Sequence, residues 1–171
     1  MAIYSPRNFF GAVGMAGLYT GLLDITAAIL SYYFRTHKDP ERVFRFIASG
    51  IFGPKANGPG SGYVWLGALL HFFIAFLFSL FFFLLFPFIS RFLQNWIVRG
   101  ILYGLFVWAV MNLIVLPLSY TAAVPFHWNT VLMSAFYLVV AIGLPLSWMA
   151  ENYFRKAARS GRLPEGPDQS T

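Results

Sequence analysis

Residues 63–86 read YVWLGALLHFFIAFLFSLFFFLLF, a stretch with no Asp, Glu, Lys or Arg. A helix of about 20 apolar residues crosses a hydrocarbon core of about 30 Å, so this run is long enough to span a bilayer. Three more runs, near 9–34, 97–120 and 130–151, meet the same requirement. Lipid offers the backbone no hydrogen-bond partners, and the runs lack the apolar/polar alternation of a barrel strand, which leaves helices. The expected fold is an all-α integral membrane protein with four transmembrane helices in one bundle. Composition agrees: 58% of residues are hydrophobic, 20% aromatic and only 11% charged, against roughly 25% charged in soluble domains.

The connections carry their own signals. Asp39-Pro40-Glu41-Arg42 reads as an N-cap followed by proline at the first helical position. Val43, Phe44, Ile47 and Ile51 then share one arc while Arg42, Arg45 and Ser49 share another, predicting a short amphipathic interfacial helix over about 40–52. Gly53-Pro54 ends it, and the glycine-rich residues 55–62 read as a flexible, turn-rich linker rather than an anion nest. Pro87 is expected to end the second span. Pro117 and Pro145 fall inside the third and fourth, depriving the carbonyls of Leu113 and Ala141 of their amide donors and predicting kinks. The polar, basic stretch 152–171 is expected to be a disordered cytoplasmic tail.

Charge sets orientation before anything else in such a chain. Four spans put both termini on one side, with Arg7, Arg91, Arg99, Arg155, Lys156, Arg159 and Arg162, against Arg35, Lys38, Arg42, Arg45 and Lys55 on the other. That excess, and the absence of Lys and Arg from residues 121–129, favours cytoplasmic termini. The first run is longer than a secretory h-region and lacks a small-residue cleavage site, so it is expected to remain as a span. The absence of cysteine excludes disulfides, thiolate catalysis, cysteine-ligated iron–sulfur clusters and c-type haem attachment. No GxSxG, HExxH, P-loop or GxGxxG arrangement is present and no nucleic-acid motif accompanies the net charge of +6. No cofactor, metal or nucleic-acid partner is therefore expected, and an enzymatic activity, left open, has no catalytic motif behind it.

Asp24 is the one charge within the first run. A carboxylate at the centre of a membrane helix costs roughly 2.5 to 3.5 kcal/mol on insertion scales, which makes it a functional-site candidate in search of a partner. Gly14, Gly17, Gly21, Asp24 and Ala28 step by three or four and form one stripe, so the acid is expected to face a neighbouring helix. Gly67, His71, Ala75 and Ser79 make a similar stripe on the second span, as do Gly100, Gly104, Trp108 and Asn112 on the third. At about 1.5 Å per residue, Asp24, His71 and Asn112 each lie roughly 21 to 22 Å from the cytoplasmic end of their helix, and the same distance in the fourth span reaches Tyr137. An intramembrane polar layer of Asp24, His71, Asn112 and Tyr137 results. Such a layer would bind or pass a small solute, cation or proton; alternatively the same groups only satisfy one another and pin helix register. His37, Asp39, Glu41 and His127 all belong to the outer connections, but nothing in their spacing forces convergence on a metal.

Three stretches carry a resemblance: Pro40-Glu41-Arg42-Val43 running into Ile47-Ala48-Ser49-Gly50; Leu69-Leu70-His71-Phe72-Phe73-Ile74-Ala75; and Gly100-Ile101-Leu102-Tyr103-Gly104 leading to Met111-Asn112 and Val115-Leu116-Pro117-Leu118-Ser119. Together they resemble a widespread group of bacterial four-helix membrane proteins, distantly similar to the YagU-like inner-membrane proteins, over about 11–151. The resemblance implies a multi-pass protein of the bacterial inner membrane and brings no activity with it. Beside the lipid bilayer, the expected partners are a small solute or cation and further copies of the chain, since four helices leave a large apolar exterior. Two other functions stay open: a non-transporting structural or assembly partner of a membrane complex, and an intramembrane cofactor- or lipid-binding protein that uses His71.

Overall fold

The computed structural model describes residues 9–121 and 128–159, and among these every regular element is a helix. Four are long and apolar enough to cross a membrane: α1 (Phe9–Thr36), α3 (Gly62–Phe92), α4 (Trp96–Leu118) and α5 (Trp128–Arg159). Between the first two lie the shorter α2 (Glu41–Phe52) and a 3₁₀ turn, Gly53–Asn57. The disordered tail was expected over 152–171, but α5 continues as helix through 152–159, and residues 160–171, like His127, lie outside the described residues.

Each boundary has a local cause. At the end of α1 the Thr36 hydroxyl and the Arg35 Nε donate to the carbonyls of Tyr32 and Ser31. His37 then takes a left-handed φ of 50°, its N–H donating to the Tyr33 carbonyl, the single-bond αL form of helix ending. The expected Asp39 side-chain cap on α2 is not made. Pro40 is already helical, at φ −58°, and the Asp39 backbone carbonyl takes the Arg42 N–H instead. Pro87 does not end the second span: α3 runs through it to Phe92 with the proline exposed. A proline facing outward sacrifices only the bond to the carbonyl four residues back.

Near Pro117 and Pro145, where kinks were expected, the backbone hydrogen bonding changes form. Each is preceded by a five-residue π-turn, Met111–Val115 in α4 and Val139–Gly143 in α5. The wider turn moves the helical bond to the carbonyl five residues back, Leu116 to Met111 and Leu144 to Val139, which relieves the clash a proline ring makes with an ordinary turn.

Small residues set the helix contacts. A Cβ added at Gly17 would lie 3.0 Å from Phe76 Cα, and one at Gly21 would lie 3.1 Å from the Ala75 Cβ, so α1 and α3 touch nearly backbone to backbone. On α4, a Cβ at Gly104 would lie 2.5 Å from Val139 Cα and one at Gly100 would lie 2.9 Å from Leu144 Cα. Gly143 of α5 faces the Gly100 carbonyl in the same crossing. Gly67 lets α2 cross α3, because a side chain there would collide with the Phe44 carbonyl. Gly14 departs from the expected stripe: an added Cβ meets nothing within 4 Å, and Ala12, Val13 and Ala16 make the buried face instead.

The dense core occupies one end of the molecule. Ala12, Val13 and Ala16 of α1, Phe82, Phe83 and Phe86 of α3, Tyr103 and Val107 of α4, and Ile142, Leu146, Met149 and Ala150 of α5 form a single buried cluster. Tyr103 is held there by its hydroxyl, which donates to the Phe78 carbonyl at 2.6 Å. Arg99 is buried in the same region, paired with Glu151, and so ties α4 to α5. Toward the other end this packing is lost: neither Met111–Leu118 nor Trp128–Leu138 contains a buried residue.

Candidate functional site

Where the long helices part, α2 covers the gap. It is braced on α3 at Gly67 and tied to the segment after α4 by the Tyr120 N–H, which donates to the Gly50 carbonyl at 3.0 Å. The Arg45 guanidinium turns away from the gap and gathers the carbonyls of Ala56, Gly58 and Gly60, at 3.3, 2.7 and 2.9 Å. It also meets Glu41 at 3.3 Å. The glycine linker is therefore folded onto α2 by a cation, and its carbonyls converge where an anion nest would present N–H groups.

Beneath α2 lies a cavity of about 810 Å³. Three helix faces line it. From α1 come Asp24, Ala28, Ser31, Tyr32 and Arg35, spaced i, i+4, i+7, i+8 and i+11, which is one face of a helix. From α2 come Arg42, Val43, Phe46 and Ser49, and from α5 come Ser134, Tyr137 and Leu138; Gly53, Pro54, Asn57 and Tyr120 complete the wall. Asp24 lies deepest along α1, and Arg35 stands about 16 Å further toward the α2 end at helical rise. Carboxylate and guanidiniums thus face one mostly apolar space from opposite ends.

The four residues expected to share a layer are not all together. Asp24 and Tyr137 line the same cavity. His71 stands behind Asp24, in the α1–α3 contact, with its Nε2 on the Gly21 carbonyl at 2.9 Å. A carbonyl only accepts, so Nε2 carries the proton, and the imidazole is near enough to Asp24 to interact with it electrostatically. Asn112 stays apart: its Nδ2 donates to the Trp108 carbonyl of its own helix at 2.9 Å, and it does not line the cavity. The neighbouring polar link between α4 and α5 is made by Trp108, whose Nε1 donates to Ser134 Oγ at 2.9 Å.

Arg35 was counted from sequence only as an orientation charge and Arg42 as a charge on the polar arc of the interfacial helix, and Ser31, Tyr32 and Ser134 were not singled out. The signal for the α1 members was present, since they continue the Asp24 face at helical spacing. The Arg42 contribution depends on where α2 lies, which no local pattern encodes. Among the described residues no three His, Cys, Asp or Glu side chains gather as metal ligands. Compared with known proteins, the chain matches no family model, no curated protein and no solved structure.

Proposed function

We propose that the chain is a multi-pass protein of the bacterial inner membrane, with its termini cytoplasmic and its four long helices forming one bundle. In this reading α2 lies at the outer interface, and the cavity beneath it binds a small amphipathic solute. The observation that carries the proposal is the cavity itself, about 810 Å³ with Asp24 deep inside and Arg35 and Arg42 on its wall toward α2. A bare alkali cation would pass two guanidiniums before reaching the carboxylate, an unfavourable approach. A solute with an acidic group at one end, an amine or other donor at the other and an apolar body between them complements all three surfaces.

Asp24 supplies the floor of the cavity, with His71 behind it on the Gly21 carbonyl, and Tyr137 adds a hydroxyl to the wall. Behind that floor the Phe82, Phe83, Phe86 and Tyr103 core closes the other end, favouring a binding pocket over an open channel. Passage is the second reading, and one observation favours it. The α5 wall residues Tyr137 and Leu138 directly precede the π-turn Val139–Gly143, and π-turns mark places where helices change register at functional sites.

Thermal unfolding in lipid nanodiscs with 11-aminoundecanoate, undecanoate and undecylamine tests the binding proposal. The zwitterion should stabilise the protein most, by about 2.7 kcal/mol at a hundredfold excess over Kd. Asp24→Asn should reduce its effect to that of undecanoate. Equal effects of all three compounds, or an undiminished response in Asp24→Asn, would reject this ligand class.

A further inference from the structure

A second polar pocket lies at the opposite end of the molecule, where α3 ends, α4 begins and the last turns of α5 pack against both. It encloses about 370 Å³, and its wall includes Phe86, Gln94, Arg99, Glu151 and Arg155. One carboxylate here serves two guanidiniums: Arg99 Nη2 donates to Glu151 Oε2, and Arg155 Nη2 donates to Glu151 Oε1 at 2.8 Å. The cluster keeps one uncompensated positive charge.

Arg99 is the unusual member. Its side chain is only 2% exposed, its guanidinium carbon stands 4.7 Å above the Phe86 ring, and its Nε is buried without a hydrogen-bond partner among the described residues. A buried charged donor lacking an acceptor is costly enough to call for an unseen one. Arg99 also sits in the first turn of α4, where unpaired backbone N–H groups add positive potential. Trp96 opens that helix, and tryptophan is enriched at the headgroup level of membranes.

We infer that this pocket binds a phosphate group, held between Arg99 and Arg155 with the Gln94 amide as a neutral donor. Basic pockets between membrane helices at headgroup level are suited to anionic lipids, and inorganic phosphate presents the same oxygens. Glu151 then has two roles: it neutralises Arg99 when the pocket is empty, and it competes with the arriving anion for both guanidiniums.

Native mass spectrometry of the purified protein, with phosphatidylglycerol or phosphatidylcholine added, tests the inference. Wild-type protein should retain phosphatidylglycerol in preference. Arg155→Gln should cut that occupancy about fivefold, the contribution of one basic side chain near a lipid surface. Arg155 is 60% exposed, so this variant keeps the fold, and Lys55→Gln, an exposed cation at the other end that lines neither pocket, should leave the occupancy unchanged. Glu151→Gln should raise occupancy by removing the competitor, a sign that a merely structural ion pair would not produce. Displacement of the lipid by millimolar inorganic phosphate would extend the site to the free anion, whereas lipid resistant to phosphate would assign it to the headgroup. Absence of a phosphatidylglycerol preference, or equal losses in Arg155→Gln and Lys55→Gln, would overturn the site.

Discussion

Replacing single glycines by alanine tests the helix contacts with the smallest available perturbation, one methyl group. In a helix interior alanine is favoured over glycine by about 0.8 to 1 kcal/mol, so wherever the methyl has room the substitution should stabilise. Gly14 has that room, with nothing within 4 Å of the added Cβ. At Gly17 the methyl would lie 3.0 Å from Phe76 Cα, and at Gly104 2.5 Å from Val139 Cα and 3.0 Å from its nitrogen. Carbon atoms prefer separations of about 3.5 to 4.0 Å, so the α4–α5 backbones must part by roughly 1 Å at Gly104 and those of α1 and α3 by about half that at Gly17. Overpacking costs about 1 to 3 kcal/mol. Set against the propensity gain, Gly104→Ala should lose about 2 kcal/mol, Gly17→Ala should be near neutral, and Gly14→Ala should gain up to about 1 kcal/mol. Denaturation by sodium dodecyl sulfate in mixed micelles, followed by circular dichroism, orders the three variants. A Gly104→Ala protein as stable as Gly14→Ala would refute the close α4–α5 crossing.

Three further outcomes follow from named contacts. His71→Gln keeps a donor for the Gly21 carbonyl, so its stability should stay within about 0.6 kcal/mol of wild type, the average for one interhelical bond; Asp24→Asn should likewise fold, with its preference for the zwitterion reduced to that for undecanoate, and both should lose any pH-dependent flux in proteoliposomes. Arg45→Met frees the carbonyls of Ala56, Gly58 and Gly60, and amide exchange measured by mass spectrometry should quicken in residues 53–61 but not within α3. Glu151→Gln strands Arg99 in a buried position and should cost about 3 kcal/mol, while Arg99→Met combined with Glu151→Gln should recover much of it, as read from the same denaturation midpoints.

The four long helices were legible because length and hydropathy suffice for them, and the contacts at Gly17, Gly21, Gly100 and Gly104 because small residues at helical spacing mark one face. Gly14 continues that spacing without a contact, since periodicity locates a face but not the point where two helices part. Gly143 was overlooked beside Pro145, although its backbone forms the other half of the crossing. Equal depth grouped Asp24, His71, Asn112 and Tyr137, yet depth carries no information about direction around each helix axis, and Asn112 spends its amide on its own helix. Arg99 and Glu151 both stood near span ends and read as boundary charges; their pairing spans 52 residues of sequence. The cavity was the least legible feature. It depends on the placement of α2 and on the loss of packing at that end of α4 and α5, both consequences of tertiary geometry.

The central claim is that polar solutes reach the Asp24 face of α1 from the α2 end, and the absence of cysteine makes it directly measurable. Ala28 lines the cavity one turn beyond Asp24, whereas Leu22, 48% exposed, lies on the outer side of the same helix. A thiol in apolar surroundings has a raised pKa and reacts slowly. In native membranes, the anionic reagent 2-sulfonatoethyl methanethiosulfonate should modify Ala28→Cys at least about tenfold faster than Leu22→Cys, the effect of one unit in thiol pKa. Pre-incubation with 11-aminoundecanoate should slow it. An Ala28→Cys variant as inert as Leu22→Cys would mean that no solute-accessible cavity reaches Asp24.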